Sequence, residues 1–528
     1  MNVGEYYEIA KESTSQDIKT LVQNTKETVE NFHVGGVPPT NMAAVNVNVG
    51  DKKIKLTFTE PADTVIDNQL ICTVAGCMVR MKEGSYPVDE KDGTLVVDNK
   101  EPGKYTATPL EITGLTNDTT YYLAFFPYSD QGLFNYNQVN RREATPKEYL
   151  LYGFKINKND SNPATRITYT EMAADFTPAA MNFTAGTFNY GSWEDVWFLK
   201  ENKPYMVKSD GTLDYQLNPD DYTKKLDGTA SDVANSSYGG NAMAYFPLVW
   251  FKRWEVDGYE YVNVCNIQLD DTYKAYAHTR ADGSVMDYKL ISMFEGSYIS
   301  SKMRSLSGQT VGVSQTAAVE ISYATANGSN WYTQSFSDWA MIADILRLIG
   351  RSDDAQMIFG YGRGGATAKL STGNLVAKGQ FFGYSAAQST TNAVKVMHIE
   401  NFWGNVWNRI AGLMNLSGKI YIKAIPPYNT TGSGYTNTGL TPIGTNGGYI
   451  NFTKMTDAGR IGYNAAGSAT TYACDSLWFD NSQADYALVG GGWEYTTSLG
   501  FSCVSLSNAV SNTSTALGAC LSCEQPIV

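Results

Sequence analysis

Charge is scarce in this sequence: Asp, Glu, Lys and Arg make up 18% of 528 residues, below the usual quarter. What charge there is leans acidic, with a formal net charge of −13, and no basic run exceeds the pair Arg141-Arg142. A phosphate-binding surface needs a basic patch or stripe, so nucleic acid is a poor partner. An acidic chain also has little attraction for anionic lipid headgroups. No window approaches ~18 consecutive apolar residues, so no membrane-spanning helix is expected. Residues 1–13 lack both a basic start and an apolar stretch, so no signal peptide is expected there.

Histidine is nearly absent, with His33, His278 and His398 the full set. A three-histidine metal site would have to draw all of them from distant segments, and acid–base chemistry would fall to carboxylates. His398 beside Glu400 offers a base; the competing reading is a core histidine held by local hydrogen bonds. The pairs Asp220-Asp221 and Asp353-Asp354 are sequence neighbours. Such side chains diverge on a strand, and in a loop they are solvated or hold calcium. Asp232, Asp257 and Asp270-Asp271 are where a calcium ion would be sought, but no EF-hand spacing surrounds them, and no cofactor is expected. The seven cysteines are odd in number, which argues against a disulfide scaffold. Cys520-x-x-Cys523 is half a zinc site without a second half, and reads as buried thiols. There is no G-x-S-x-G nucleophile elbow. The run Gly360-Tyr361-Gly362-Arg363-Gly364-Gly365 lacks the Lys-Ser/Thr of a phosphate loop and reads as a surface loop.

What remains is a palette of Gly (48) and Tyr (35) with frequent Asn, Ser and Thr. This predicts a β-rich α+β chain of about three domains. Residues 5–32 read as a helix, with Ile18, Leu21, Val22, Thr25, Val29 and Phe32 at three- and four-residue steps. Segment 1–36 is thus a docking or oligomerisation arm, and Gly35-Gly36-Val37-Pro38-Pro39 ends it. In 37–146, Ile54, Leu56 and Phe58 alternate with Lys53, Lys55, Thr57 and Thr59 as a half-buried strand, and Met78 to Met81 mark another. The stretch Leu115-Thr116-Asn117-Asp118-Thr119-Thr120-Tyr121 resembles the tyrosine corner of fibronectin type III domains, with Asn117 where Pro is usual. The resemblance implies a β-sandwich spacer with Leu115 and Tyr121 structural. Residues 147–240 are rich in aromatics (Tyr149, Tyr152, Phe154, Tyr190, Trp193, Trp197, Phe198) and form the N-terminal part of a large domain. Asp210-Gly211 and Asp227-Gly228 mark chain reversals.

In 241–528, Ser337 is placed to cap a helix over 338–348, with Trp339, Ile342, Leu346 and Ile349 on one face. Gly404-Asn405-Val406-Trp407 resembles the GNVWEW signature of the formylglycine-generating-enzyme-like branch of C-type-lectin folds. Gly490-Gly491-Gly492-Trp493 and a degraded Leu517-Gly518-Ala519-Cys520-Leu521 follow in that branch's order. The branch includes variable proteins of diversity-generating retroelements and bacteriophage tail adhesins. The resemblance implies an N-terminal helix, a fibronectin III-like β-sandwich and a large C-type-lectin-like domain, with Gly404, Asn405, Trp407 and Gly492 structural. The enzymatic cousins need a copper-binding cysteine pair or a facial group of histidines; Cys520 and Cys523 fall in or after the last strand, and the histidines are dispersed. The chain therefore reads as non-catalytic.

Residues 401–528 carry only Arg409, Lys419, Lys423, Lys454 and Arg460 against Asp457, Asp475, Asp480, Asp485, Glu494 and Glu524. Aromatic anchors among small polar residues are the composition of recognition loops. Trp478, Asp480 and Asn481 are candidates from the residues themselves. In the diversified relatives the exposed positions between the G-G-x-W element and the last strand bind, which adds Trp493, Tyr495, Ser498, Ser502, Ser505, Asn508 and Asn512. Trp493 has a core reading too, since it belongs to the motif, and low charge also suits an oligomer interface. The expected function is a bacteriophage virion protein on a tail or head fibre, displaying a receptor-binding domain toward host surface polysaccharide or protein. Other particle proteins would be its partners through the arm, and a homotrimer its assembly. Such a protein is made in the host cytoplasm and needs no signal peptide. A purely structural collar or decoration protein is the first alternative. A glycan depolymerase is the second, requiring two facing carboxylates about 5–10 Å apart.

Overall fold

A computed structural model describes residues 36–66 and 69–527. The helix expected over 5–32, His33 and nearly all of the arm lie outside the described residues. The architecture is β-rich and divides into two units, residues 1–149 with 267–270, and residues 150–266 with 271–528.

Alternation builds the first unit. Strand Lys53–Thr59 buries Ile54, Leu56 and Phe58 and leaves the residues between them half-buried, as a sheet with one face on a core requires. It pairs with Ala44–Gly50 and Leu110–Thr113 in a three-stranded sheet. A four-stranded sheet runs in the order Thr94–Asn99, Val74–Glu83, Tyr121–Ser129, Arg141–Ala144. Side chains of both sheets meet in one core, where Phe58 and Phe125 stand edge to face with centroids 5.4 Å apart. Tyr121 opens its strand almost fully buried, and its hydroxyl accepts the Thr116 N–H at 3.0 Å. Asn117 accepts the Lys52 N–H at 2.8 Å and donates to Asp51 at 2.7 Å. These bonds hold the corner where a proline ring would otherwise stiffen it.

In the second unit, strands from 147–240 pair with strands beyond 241. Leu151–Asn157 lies against Tyr259–Cys265, and Lys203–Val207 against Asn241–Pro247. The first pair belongs to a four-stranded sheet and the second to a seven-stranded one. A third, ten-stranded sheet is gathered from residues 407–519, with Trp407–Leu416 third from one edge. The chain reverses at Asp210-Gly211 between Lys203–Val207 and Leu213–Asn218. Tyr152, Phe154, Trp193 and Phe198 are buried in the core, with Tyr152 and Trp193 edge to face at 5.6 Å.

The long helix is Phe336–Gly350, and its cap is Ser335 rather than Ser337. The Ser335 hydroxyl accepts the Asp338 N–H, and the Asp338 carboxylate accepts the Ser335 N–H at 2.9 Å, a reciprocal capping box. Ser337 instead donates to the Ala424 carbonyl at 2.6 Å. The sequence shows one apolar face, yet every residue of this helix is buried. Its polar side is covered by ion pairs: Asp344 takes Arg253 at 2.8 Å and Arg347 at 2.9 Å. Just beyond the helix, Asp353 is fully buried among Arg166, Arg347 and Arg460, at 3.1, 2.9 and 2.8 Å. Arg460 also holds Glu260 at 2.7 Å. Asp353-Asp354 is therefore not a solvated pair, for Asp354 caps the short helix Ala355–Phe359 through the Gln356 and Met357 N–H groups.

The glycine-rich run 360–365 is not a surface loop. Gly360, Tyr361, Gly362 and Gly364 are buried, because neighbours press on the backbone where side chains would stand. A Cβ on Gly362 would come within 2.9 Å of Trp403, and one on Gly364 within 2.5 Å of Leu499.

Candidate binding site

The motif Gly404-Asn405-Val406-Trp407 shapes the region from inside. Gly404 has φ +79°, and a Cβ there would meet the Arg363 backbone at 2.7 Å, so only glycine fits without a shift. Asn405, at φ +63°, is fully buried. Its side chain accepts the Leu370 N–H at 2.7 Å and donates to Glu295 at 2.5 Å. Glu295 also accepts Asn401 Nδ2 and the Val406 N–H, both at 3.2 Å. Burial outweighs these donors and pushes its carboxyl up to about 8.

Trp407 is buried and stands edge-on to two half-buried rings, Trp478 at 5.2 Å and Tyr495 at 5.5 Å. Trp478 and Tyr495 lie 4.9 Å apart. Gly492 leaves room for Trp407, whose Cδ1 would be 3.0 Å from any Cβ. The loop after Gly490 is clamped by backbone bonds. The Trp493 N–H donates to Asn405 O at 2.8 Å, Gly365 N–H to Tyr495 O at 2.7 Å, and Ala366 N–H to Trp493 O at 2.9 Å. The buried 360–366 segment is thus the anvil on which Trp493 and Tyr495 are set.

The remaining candidates divide by burial. Trp478, Asp480, Trp493, Tyr495 and Asn508 are half-buried, and Asn481 and Asn512 are exposed. Asp480 accepts the Ser482 hydroxyl and N–H at 2.6 and 2.9 Å, which hold its carboxyl below the usual range. Asn481 donates to Pro442 O at 3.0 Å. Ser498 and Ser505 are buried and present no hydroxyl to a partner. Ser505 instead receives Asn508 Nδ2 at 2.9 Å, and Asn508 receives Asn512 Nδ2 at 2.7 Å, a polar ladder to the surface. Ser502 accepts Arg347 at 2.7 Å and serves the interior. Trp478 and Tyr495 are brought together on Trp407, Trp493 stands two residues before Tyr495 on the clamped loop and lines a separate cleft, and Ser498 and Ser505 are buried.

Sequence reasoning missed a cleft of about 330 Å³ walled by Trp493 and by residues 310–311, 367–371 and 515. Three separated stretches without a motif build it, so only its tryptophan carried a signal.

The groups considered for chemistry are engaged elsewhere. Buried His398 has Nδ1 2.7 Å from the Tyr222 hydroxyl, and burial, aided by the nearby Lys395 charge, drives its pKa well down. Glu400 accepts the N–H groups of Gly373, Asn374 and Leu375 at 2.9, 3.1 and 2.9 Å, and so ties down the strip that borders the cleft. His278 is buried beside Phe246 O, and burial lowers it to about 3. Among the described residues no group of three or more His, Cys, Asp or Glu side chains is arranged to hold a metal ion, and all seven cysteines are buried. No helix of the described residues is long and apolar enough to cross a membrane.

No family model matches the chain, and no curated protein matches it. Among solved structures, the Major Tropism Determinant P3c variant is similar at 11% identity and a TM-score of 0.26, over 62% of this chain and 73% of that one. The Major Tropism Determinant M1 variant gives 11% and 0.26 over 92% and 100%, and the I1 variant 12% and 0.26 over 85% and 96%. Overlap at that TM-score carries no argument about fold or partner.

Proposed function

We propose that this chain is a bacteriophage virion protein that displays a receptor-binding, C-type-lectin-like domain on a tail or head fibre, preceded in sequence by a fibronectin III-like spacer. The observation that carries the reading is the clamped loop that holds half-buried Trp493 and Tyr495, with the Tyr495 ring 4.9 Å from that of Trp478. Rigid aromatic anchors lose little entropy on binding, and small polar neighbours adapt to a partner. The order of the two small sheets and the Tyr121 bond to Thr116 support the spacer. The arm at 1–36 would join the chain to other particle proteins and start a homotrimer. The receptor would be host surface polysaccharide or protein. The cleft lining includes no carboxylate, which favours binding there over glycoside hydrolysis, a reaction that takes two.

Purified full-length chain in excess should block adsorption of the particles to their host, and gold-labelled antibody should mark the outer end of a fibre. Label on the collar or capsid body, with adsorption undiminished, would establish the purely structural role instead.

A further inference from the structure

The cleft beside Trp493 combines an aromatic wall with hydroxyl-bearing residues and one cation. Four hydroxyls line it, those of Thr310, Thr367, Ser371 and Thr515, together with the ammonium of Lys369. Thr310, Thr367, Ser371 and Thr515 are exposed and Lys369 is half-buried, and none of the five groups has a hydrogen-bond or ion-pair partner among the described residues, so all are open to a ligand that displaces solvent. Side-chain hydroxyls at a rim commonly turn back on local backbone. Elsewhere in this chain exposed hydroxyls take a nearby carboxylate instead, as Thr212, Thr229 and Ser482 donate to the side chains of Asp210, Asp227 and Asp480.

These groups sort by chemistry. An indole face gives C–H groups an apolar bed. Hydroxyls both donate and accept, as a polyhydroxylated ligand needs. Lys369 is a point cation with three donors in a chain of net charge −13, and no acid lines the cleft to neutralise it. A volume of about 330 Å³ stands at the lower end of ligand pockets, the size of one or two sugar rings. We infer that this cleft binds an acidic saccharide, with a sugar ring against Trp493, its hydroxyls on the Thr and Ser side chains, and its anionic group on Lys369. The inference rests on the display reading above and gives it a ligand class.

The test is calorimetric titration of the full-length chain with three disaccharides of one linkage: neutral, uronate-containing and sulfated. Either anionic ligand should bind at least roughly tenfold more tightly than the neutral one, the scale of one charge-assisted hydrogen bond; which of the two binds identifies the anionic group. K369Q should bring the anionic ligands down to the neutral level, and W493A should abolish all binding. T515V, a milder change, should weaken all three ligands with the melting temperature unmoved. Equal affinity for neutral and anionic ligands, no binding at millimolar concentration, or an unaltered K369Q would overturn the inference. Cell binding separates it from the display reading. Binding to host cells that K369Q and T515V leave intact removes the cleft's role and keeps display, whereas saccharide binding without cell binding does the reverse.

Discussion

At the scale of residues, a subset of the chain's charges is buried in pairs. Burial opposes ionisation of Asp353, but Arg460, Arg166 and Arg347 outweigh it and hold its carboxyl at about 2. A folded pKa below the unfolded value near 3.9 adds stability that is complete above that value and is lost as pH falls toward 2. Nearly two units correspond to roughly 2–3 kcal/mol. Asp353→Asn should therefore lower stability at neutral pH by about 3–5 kcal/mol, since it leaves buried guanidinium groups underpaired. It should also flatten the acid side of the profile between about pH 4 and pH 2, measured by urea denaturation across pH. A variant with wild-type stability would show that the arginines compensate one another. In the first unit, Tyr121→Phe removes the acceptor of the Thr116 N–H and should cost about 1 kcal/mol or somewhat more, read from that unit's own unfolding transition.

At the scale of elements, legibility followed periodicity. Strand Lys53–Thr59 was readable because one of its faces is buried and the other is not. Helix Phe336–Gly350 was readable as a helix, but its surroundings were not. A 3.6-residue stripe reports the apolar face, while Asp344 and Arg347 are buried by partners such as Arg253 that lie far off in sequence. The cap was misplaced by two residues because Ser335 and Ser337 both precede the apolar run, and only the reciprocal bonds to Asp338 decide between them. The 360–365 run looked like a loop because glycines mark turns, whereas here they admit close packing by Trp403 and Leu499. Ser335→Ala should lower stability by about 1 kcal/mol, and by up to ~2. Ile345→Ala, at a fully buried position of the same helix, should cost about 2–5 kcal/mol. Thermal and denaturant unfolding of the two variants measures both, and an Ile345→Ala loss under 1 kcal/mol would contradict a helix enclosed on all sides.

At the scale of the molecule, the candidate site was half legible. Trp478, Trp493 and Tyr495 stood out as aromatics in a low-charge stretch; below them Asn405 bonds buried Glu295, Trp407 packs edge-on to Trp478, and Gly404 and Gly492 admit close neighbours. Ser498, Ser502 and Ser505 were drawn in by position along the chain, but Ser498 and Ser505 are buried and Ser502 is bonded to Arg347. The cleft was invisible because Thr310, Lys369 and Thr515 become neighbours only through folding. The reading as a display protein stands on Trp493 and Tyr495 together. The most direct measurement is saturation binding of the full-length chain to host cells, wild type against Trp493→Ala combined with Tyr495→Ala, with the melting temperatures matched. The account predicts saturable wild-type binding that falls at least tenfold in the double variant, for truncation of central aromatic anchors typically costs 2 kcal/mol or more. Wild-type binding that survives the double change, or no saturable binding at all, would contradict it.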